Sequence, residues 1–108
     1  MLTFNTIIIY SRVKVKKNVR KISKGGEEVK IYSYEGKKNI SGERIREARL
    51  KLRLTQADLA ARVQVEGVIM ERDSISRIEI GTRFIPDYEI PVFARVLGVS
   101  VLWLLGIE

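Results

Sequence analysis

Two hydrophobic periodicities divide the chain. Before position 41 the apolar residues come in short β-favouring runs: Thr6-Ile7-Ile8-Ile9-Tyr10, then Val13-Lys14-Val15-Lys16 and Val29-Lys30-Ile31-Tyr32, which alternate with polar residues at period two. Gly25-Gly26 supplies a turn signal between the last two, so a hairpin is one expectation for this part. A disordered arm is the other, because an isolated two-stranded ribbon is marginal in water.

After Ser41 the spacing changes to three and four. Ile45, Ala48 and Leu52 form a stripe that predicts a helix over roughly 42–52, with Ser41 as its N-cap. In LTQADLAARV, Thr55 is a second N-cap, Asp58 stands where a capping box needs its acceptor, and Leu54 and Leu59 have the spacing of a hydrophobic staple. That helix is expected to run to about Val65 and break at Gly67, with Val68, Ile69 or Met70 returning to the core. In ERDSISRIEIGTR, Ile75 and Ile78 anchor a third helix over roughly 72–80, closed by Gly81.

Asp73 has three open roles in that third helix: N-cap, since Glu71 caps poorly, ion-pair partner of Arg77 four residues on, or contact to a ligand. Pro86-Asp87 begins a fourth helix with Ile90, Phe93, Ala94 and Leu97 as its buried stripe and Gly98 as its end. Pro91 falls in its first turn, where a missing N–H costs little, and is expected to delay or tighten the start. Ser100 caps a short fifth helix carrying Leu102, Trp103 and Leu105, with Trp103, Leu104 and Leu105 closing the core. The fold class that follows is all-α, a five-helix orthogonal bundle over residues 41–108 preceded by an arm, residues 1–40.

Charge sharpens that division. The 108 residues carry +7, with 20 Lys plus Arg against 13 Asp plus Glu. Residues 1–40 hold ten basic and three acidic residues, whereas residues 41–108 hold ten of each, so the entire excess lies in the arm. From Arg12 to Lys24 there are seven basic residues and no acid. Two readings stand: a solvated, self-repelling tail, or an arm that follows phosphates or a groove.

The sequence has no cysteine and no histidine, so a disulfide framework, a thiolate metal site and the usual near-neutral general base are all missing. An enzyme is not expected, nor is any cofactor or metal. The first residues, MLTFNTIII, lack the features of a secretory signal, and no apolar run approaches the roughly 20 residues that cross a bilayer, so a cytoplasmic protein without a membrane partner is expected. A further expectation concerns the start: KGGE at 24–27 is encodable by purine-rich codons resembling a bacterial ribosome-binding site, and Val29 follows at the distance of a GUG start. On that reading residues 1–28 belong to an overextended gene start.

Taken in order, ERIREARLKLRLTQADLAARV, DSISRIEIGTR and PDYEIPVFARVLGVSVLWLLG resemble the phage repressor and Cro-like helix-turn-helix regulators, also called the xenobiotic-response-element type, over about 41–107. The link between helices two and three, QVEGVIMER, is longer than the motif's usual three- or four-residue turn. The resemblance implies sequence-specific binding of double-stranded DNA by a repressor-like regulator, as a homodimer on a near-palindromic operator. It implies base contacts from Arg72, Asp73, Ser76 and Arg77, phosphate contacts from Thr55, Gln56 and Arg83, and an internal ion pair between Arg49 and Glu79. With the chain ending at Glu108, control through abundance or a protein partner is expected, as in a small regulator of a mobile element. The alternative is a protein-interaction module or an antitoxin-type partner-binding protein on the same bundle, which the zero net charge of 41–108 favours.

Overall fold

The computed structural model describes residues 15–21 and 28–108, so the expected strand at 6–10, residues 13–14 and the Gly25-Gly26 turn lie outside the described residues. Two units result, residues 1–37 and 38–108. In the first, β1 (Val15–Lys21) pairs antiparallel with β2 (Glu28–Tyr34) in a register running from Val15 opposite Tyr34 to Lys21 opposite Glu28. The described residues of the arm are thus two paired strands, and the turn expected at Gly25-Gly26 is not among them. Strand β1 extends through Asn18-Val19-Arg20-Lys21, a stretch that its charge alone marks as a solvated tail. Beyond β2 the chain reverses at Glu35 and Gly36, both left-handed, with Tyr34 and Lys37 exchanging backbone hydrogen bonds of 2.7 and 3.0 Å.

The second unit is a bundle of five helices: α1 (Gly42–Lys51), α2 (Gln56–Val65), α3 (Arg72–Ile80), α4 (Glu89–Leu97) and α5 (Val101–Leu104). Each sends apolar side chains to one core, in which Ile45, Leu59, Val63, Ile75, Ile78, Phe93 and Leu104 are fully buried. Burying a side chain of this size contributes roughly 1.5–3 kcal/mol. Leu104 carries the closure by α5, with Trp103 and Leu105 packed partly against the core. Leu102 and Leu52, placed in apolar stripes by spacing, are instead exposed, Leu52 as the residue that follows the last turn of α1.

Local rules account for most boundaries. Thr55 and Asp58 form the reciprocal capping box: Thr55 Oγ1 accepts from the Asp58 N–H at 3.0 Å, and Asp58 Oδ2 accepts from the Thr55 N–H at 3.0 Å. Ser100 Oγ likewise accepts from the Trp103 N–H. Gly81, at φ 96°, ends α3 in a left-handed residue, and the Thr82 N–H closes the Schellman bond to the Arg77 carbonyl at 2.9 Å.

Two starts differ from expectation. Ser41 makes no capping bond and its Oγ is buried without a partner; the Gly42 N–H donates instead to Asn39 Oδ1 at 2.8 Å. Helix α4 begins at Glu89 rather than at Pro86, after a tight turn in which the Glu89 N–H reaches the Pro86 carbonyl. Pro91 is the reason: it has no N–H to offer the Asp87 carbonyl four residues back, which accepts from Ile90 at 3.3 Å instead. Among the described residues no helix is long and apolar enough to cross a membrane, and no cluster of acidic side chains could hold a metal ion.

Candidate nucleic-acid interface

Helix α3 has two faces of opposite character. Ile75, Ile78 and Glu79 point into the bundle, while Arg72, Asp73 and Arg77 are exposed and Ser76 is half-buried between them. The four residues expected to read bases therefore share one helix, at its first two turns. Asp73 neither caps that helix nor pairs with Arg77. The N-cap is Glu71, whose side chain makes no capping bond, and Asp73 lies in the first turn with its carboxylate 3.4 Å from Arg72 Nη1. Both side chains of that pair are about two-thirds exposed (67% and 70%), so water and salt leave it little strength.

Beneath this face lies the contact that fixes its tilt. The Arg49 guanidinium donates from Nε to Glu79 Oε2 at 2.7 Å, from Nη2 to Glu79 Oε1 at 2.9 Å and from Nη1 to the Leu54 carbonyl at 2.8 Å. One planar group thus joins α1, the turn before α2, and α3. Gln56 Nε2 donates to the same Glu79 Oε1 at 3.1 Å, which ties the first residue of α2 to α3 as well. The side chains of Arg49 and Glu79 are 9% and 3% exposed, and the hydrogen bond to Glu79 holds the Arg49 pKa above its already high ordinary value. The Arg49–Glu79 pair expected from the resemblance is present as a two-pronged, buried ion pair.

Three residues that sequence reasoning missed complete the frame. Asn39 accepts from the Gly42 N–H with Oδ1 and donates with Nδ2 to the carbonyls of Ile78 at 3.0 Å and Arg83 at 2.8 Å. It clamps the start of α1 to the end of α3, assisted by the Lys38 N–H, which donates to the Gly81 carbonyl at 2.7 Å. Gly42 permits the approach, since a Cβ there would stand 2.0 Å from the Ile78 carbonyl oxygen. Glu89, buried at the first turn of α4, receives Arg83 Nη1 at 3.0 Å and Nη2 at 3.3 Å. Arg83, expected as a charged contact to a ligand, is drawn against this carboxylate, and its own side chain is 27% exposed.

The lengthened link between α2 and α3 is ordered by side chains from both ends. Gly67, at φ 95°, ends α2 in the left-handed region. Met70 is the residue that returns to the core, Val68 packs partly against it, and Ile69 is 89% exposed. Gln64 Nε2 donates to the Met70 carbonyl, and Arg95 of α4 holds Glu66 at 3.0 Å. Thr55 and Gln56 stand at the start of α2, Thr55 with its hydroxyl oxygen on the Asp58 N–H and Gln56 with one amide hydrogen on Glu79.

The sequence profile of the helix-turn-helix domain family matches residues 42–102. No curated protein matches the chain. Among solved structures the chain is similar to the P22 c2 repressor in complex with synthetic operator 9T, at 27% identity and a TM-score of 0.55. That alignment covers 65% of this chain and 98% of the repressor chain.

Proposed function

The chain belongs to the helix-turn-helix domain family, and from that premise we propose that it is a repressor-like transcriptional regulator that binds double-stranded DNA, with α3 reading base sequence in the major groove. The observation that carries the reading is the division of α3: isoleucines and a tethered carboxylate inward, two arginines, an aspartate and a serine outward. The second helix of the motif enters the major groove with its N-terminal residues at the base edges. Arg72 and Arg77 suit guanine O6 and N7, Asp73 suits cytosine N4, and Ser76 bonds either base of a pair. The likeness to a repressor solved on operator DNA supports the same reading.

Phosphate contacts set position rather than sequence. Thr55 and Gln56 supply them at the start of α2, where the first N–H groups lack intrahelical acceptors and the helix dipole favours an anion. A primary amide has two donors, so the hydrogen that Gln56 gives to Glu79 leaves a second for phosphate. Arg83 adds a partly exposed guanidinium just past α3. A homodimer on a two-fold operator matches the motif's usual geometry. The activity is binding rather than catalysis, consistent with a chain without histidine or cysteine.

The test is a set of duplexes differing by single base pairs, titrated with the full chain. Arg77→Ala is expected to lose discrimination at one operator position, by roughly 1–3 kcal/mol, and to keep it elsewhere. Gln56→Ala is expected to weaken all duplexes alike. The opposite assignment of effects means that another face lies in the groove. A second reading, a protein-interaction module, is favoured by the exposed Ile80, Phe84 and Tyr88 around the end of α3 and the loop after it. Absence of binding to any duplex at low salt selects that reading.

A further inference from the structure

We propose that the β1–β2 ribbon is a second DNA-binding element, which holds backbone phosphates of the duplex whose bases α3 reads. The inference rests on the DNA-binding reading above and adds the source of most of the electrostatic affinity. Double-stranded DNA carries one charge per about 1.7 Å, and neutralising its phosphates supplies the sequence-independent part of binding. The helical unit is poorly equipped for that. Residues 41–108 have zero net charge. Two of their cations are engaged within the bundle: Arg49 holds Glu79, and Arg44 donates to the carbonyls of Trp103 and Glu108 with its guanidinium 5.1 Å from the Trp103 ring centre.

The ribbon concentrates what the bundle lacks. Its register places positions 15, 17, 19 and 21 on one face together with 28, 30, 32 and 34. Lys17, Lys21 and Lys30 therefore share a face, with Lys30 opposite Val19, between the two lysines of β1, and the exposed Tyr32 opposite Lys17. Only Glu28, opposite Lys21, opposes that charge on this face. Diagonal positions across an antiparallel pair lie about 7–8 Å apart, so the register sets three cationic residues at neighbouring positions of one face. A polyanion complements that concentration of positive charge.

A two-stranded ribbon also has the width that a DNA groove admits. The opposite face carries Lys16 and Arg20, so neither face offers the continuous apolar surface by which a segment lies in a lipid interface.

The test uses the full chain carrying Lys17→Gln, Lys21→Gln and Lys30→Gln together, with Lys→Arg at the same three positions as the charge-keeping control. Binding to a preferred duplex and to a scrambled duplex is measured by fluorescence anisotropy over a salt series. The expected result is a log K against log[salt] slope shallower by about 2–3, near 0.9 for each phosphate that is no longer neutralised. Affinity should fall equally for both duplexes, base preference and helical melting should stay unchanged, and the arginine variant should bind like the parent. An unchanged slope overturns the proposal, as does a variant that loses binding to anionic phosphatidylserine vesicles while keeping its DNA affinity. A parent chain without base preference whose slope still depends on the lysines refutes the role of α3 and leaves the ribbon standing. A parent that binds no duplex refutes both.

Discussion

Replacing Glu79 by alanine removes two acceptors, at 2.7 and 2.9 Å, from an arginine whose side chain is 9% exposed. The Arg49 guanidinium keeps only the Leu54 carbonyl at 2.8 Å, and the Gln56 amide loses its partner. Each hydrogen bond to a charged group contributes about 1.5–3 kcal/mol net, and a buried charge left unpaired costs about 3–5 kcal/mol in all. An exposed pair of the same geometry would contribute only about 0–1 kcal/mol. Because Glu79 is 3% exposed at its side chain, the buried figure applies, which takes from about a fifth to nearly all of the stability of an ordinary domain, roughly 5–15 kcal/mol. Urea unfolding of the full chain, followed by circular dichroism, should show a lower midpoint at unchanged slope. The double variant Arg49→Met with Glu79→Leu removes both charges and should recover most of the loss. A single-variant cost below about 1 kcal/mol, or a double variant no better than the single, refutes the reasoning.

Two further predictions concern the frame. Gly42→Ala pits helix propensity, which favours alanine by about 1 kcal/mol, against a Cβ 2.0 Å from the Ile78 carbonyl oxygen and 2.8 Å from Asn39 Oδ1. The clash is with backbone and should dominate, lowering the melting temperature by several degrees, and a rise would contradict the close approach of α1 to α3. Asp58 is held below the usual carboxylate range, first by the Thr55 N–H and then by the Thr55 side chain, with Arg62 adding to the effect. A carboxylate lowered in the folded state contributes fully above its unfolded pKa and loses that contribution as pH falls through the folded value. Asp58→Asn should therefore show a smaller loss of stability than the parent between about pH 5 and pH 2. Equal losses in the two proteins would exclude the capping box as their source.

How far the sequence reveals this frame depends on the reach of each interaction. The Thr55 and Asp58 box, the Gly81 stop and the break at Gly67 are legible because their donors and acceptors lie within five residues. Arg49 and Glu79 are thirty residues apart, and only the family resemblance pairs them. Asn39 is 39 and 44 residues from the two carbonyls it bonds, so nothing local distinguishes it from a loop residue, and Ser41 is the more obvious cap. Gly42 likewise reads as a poor helix former until the Ile78 carbonyl is seen against it. Arg83 lies beyond local rules too: an arginine just past α3 reads as fully outward-facing, but the turn before α4 brings Glu89 against it. Strand β1 was obscured by charge, since cross-strand pairing, which segment composition does not encode, decides whether Asn18-Val19-Arg20-Lys21 is extended. Asp73 had competing local partners, and the bundle gave it none of the expected ones.

The central claim is that the outward face of α3 reads base sequence, and the most direct measurement is selection of bound sequences from a random duplex library with the full chain and its Arg77→Ala variant. The account predicts a short motif repeated with two-fold symmetry, with preference lost at one position of each half-site in the variant. A library that yields no enriched sequence at low salt, or a motif that Arg77→Ala leaves unchanged, contradicts it.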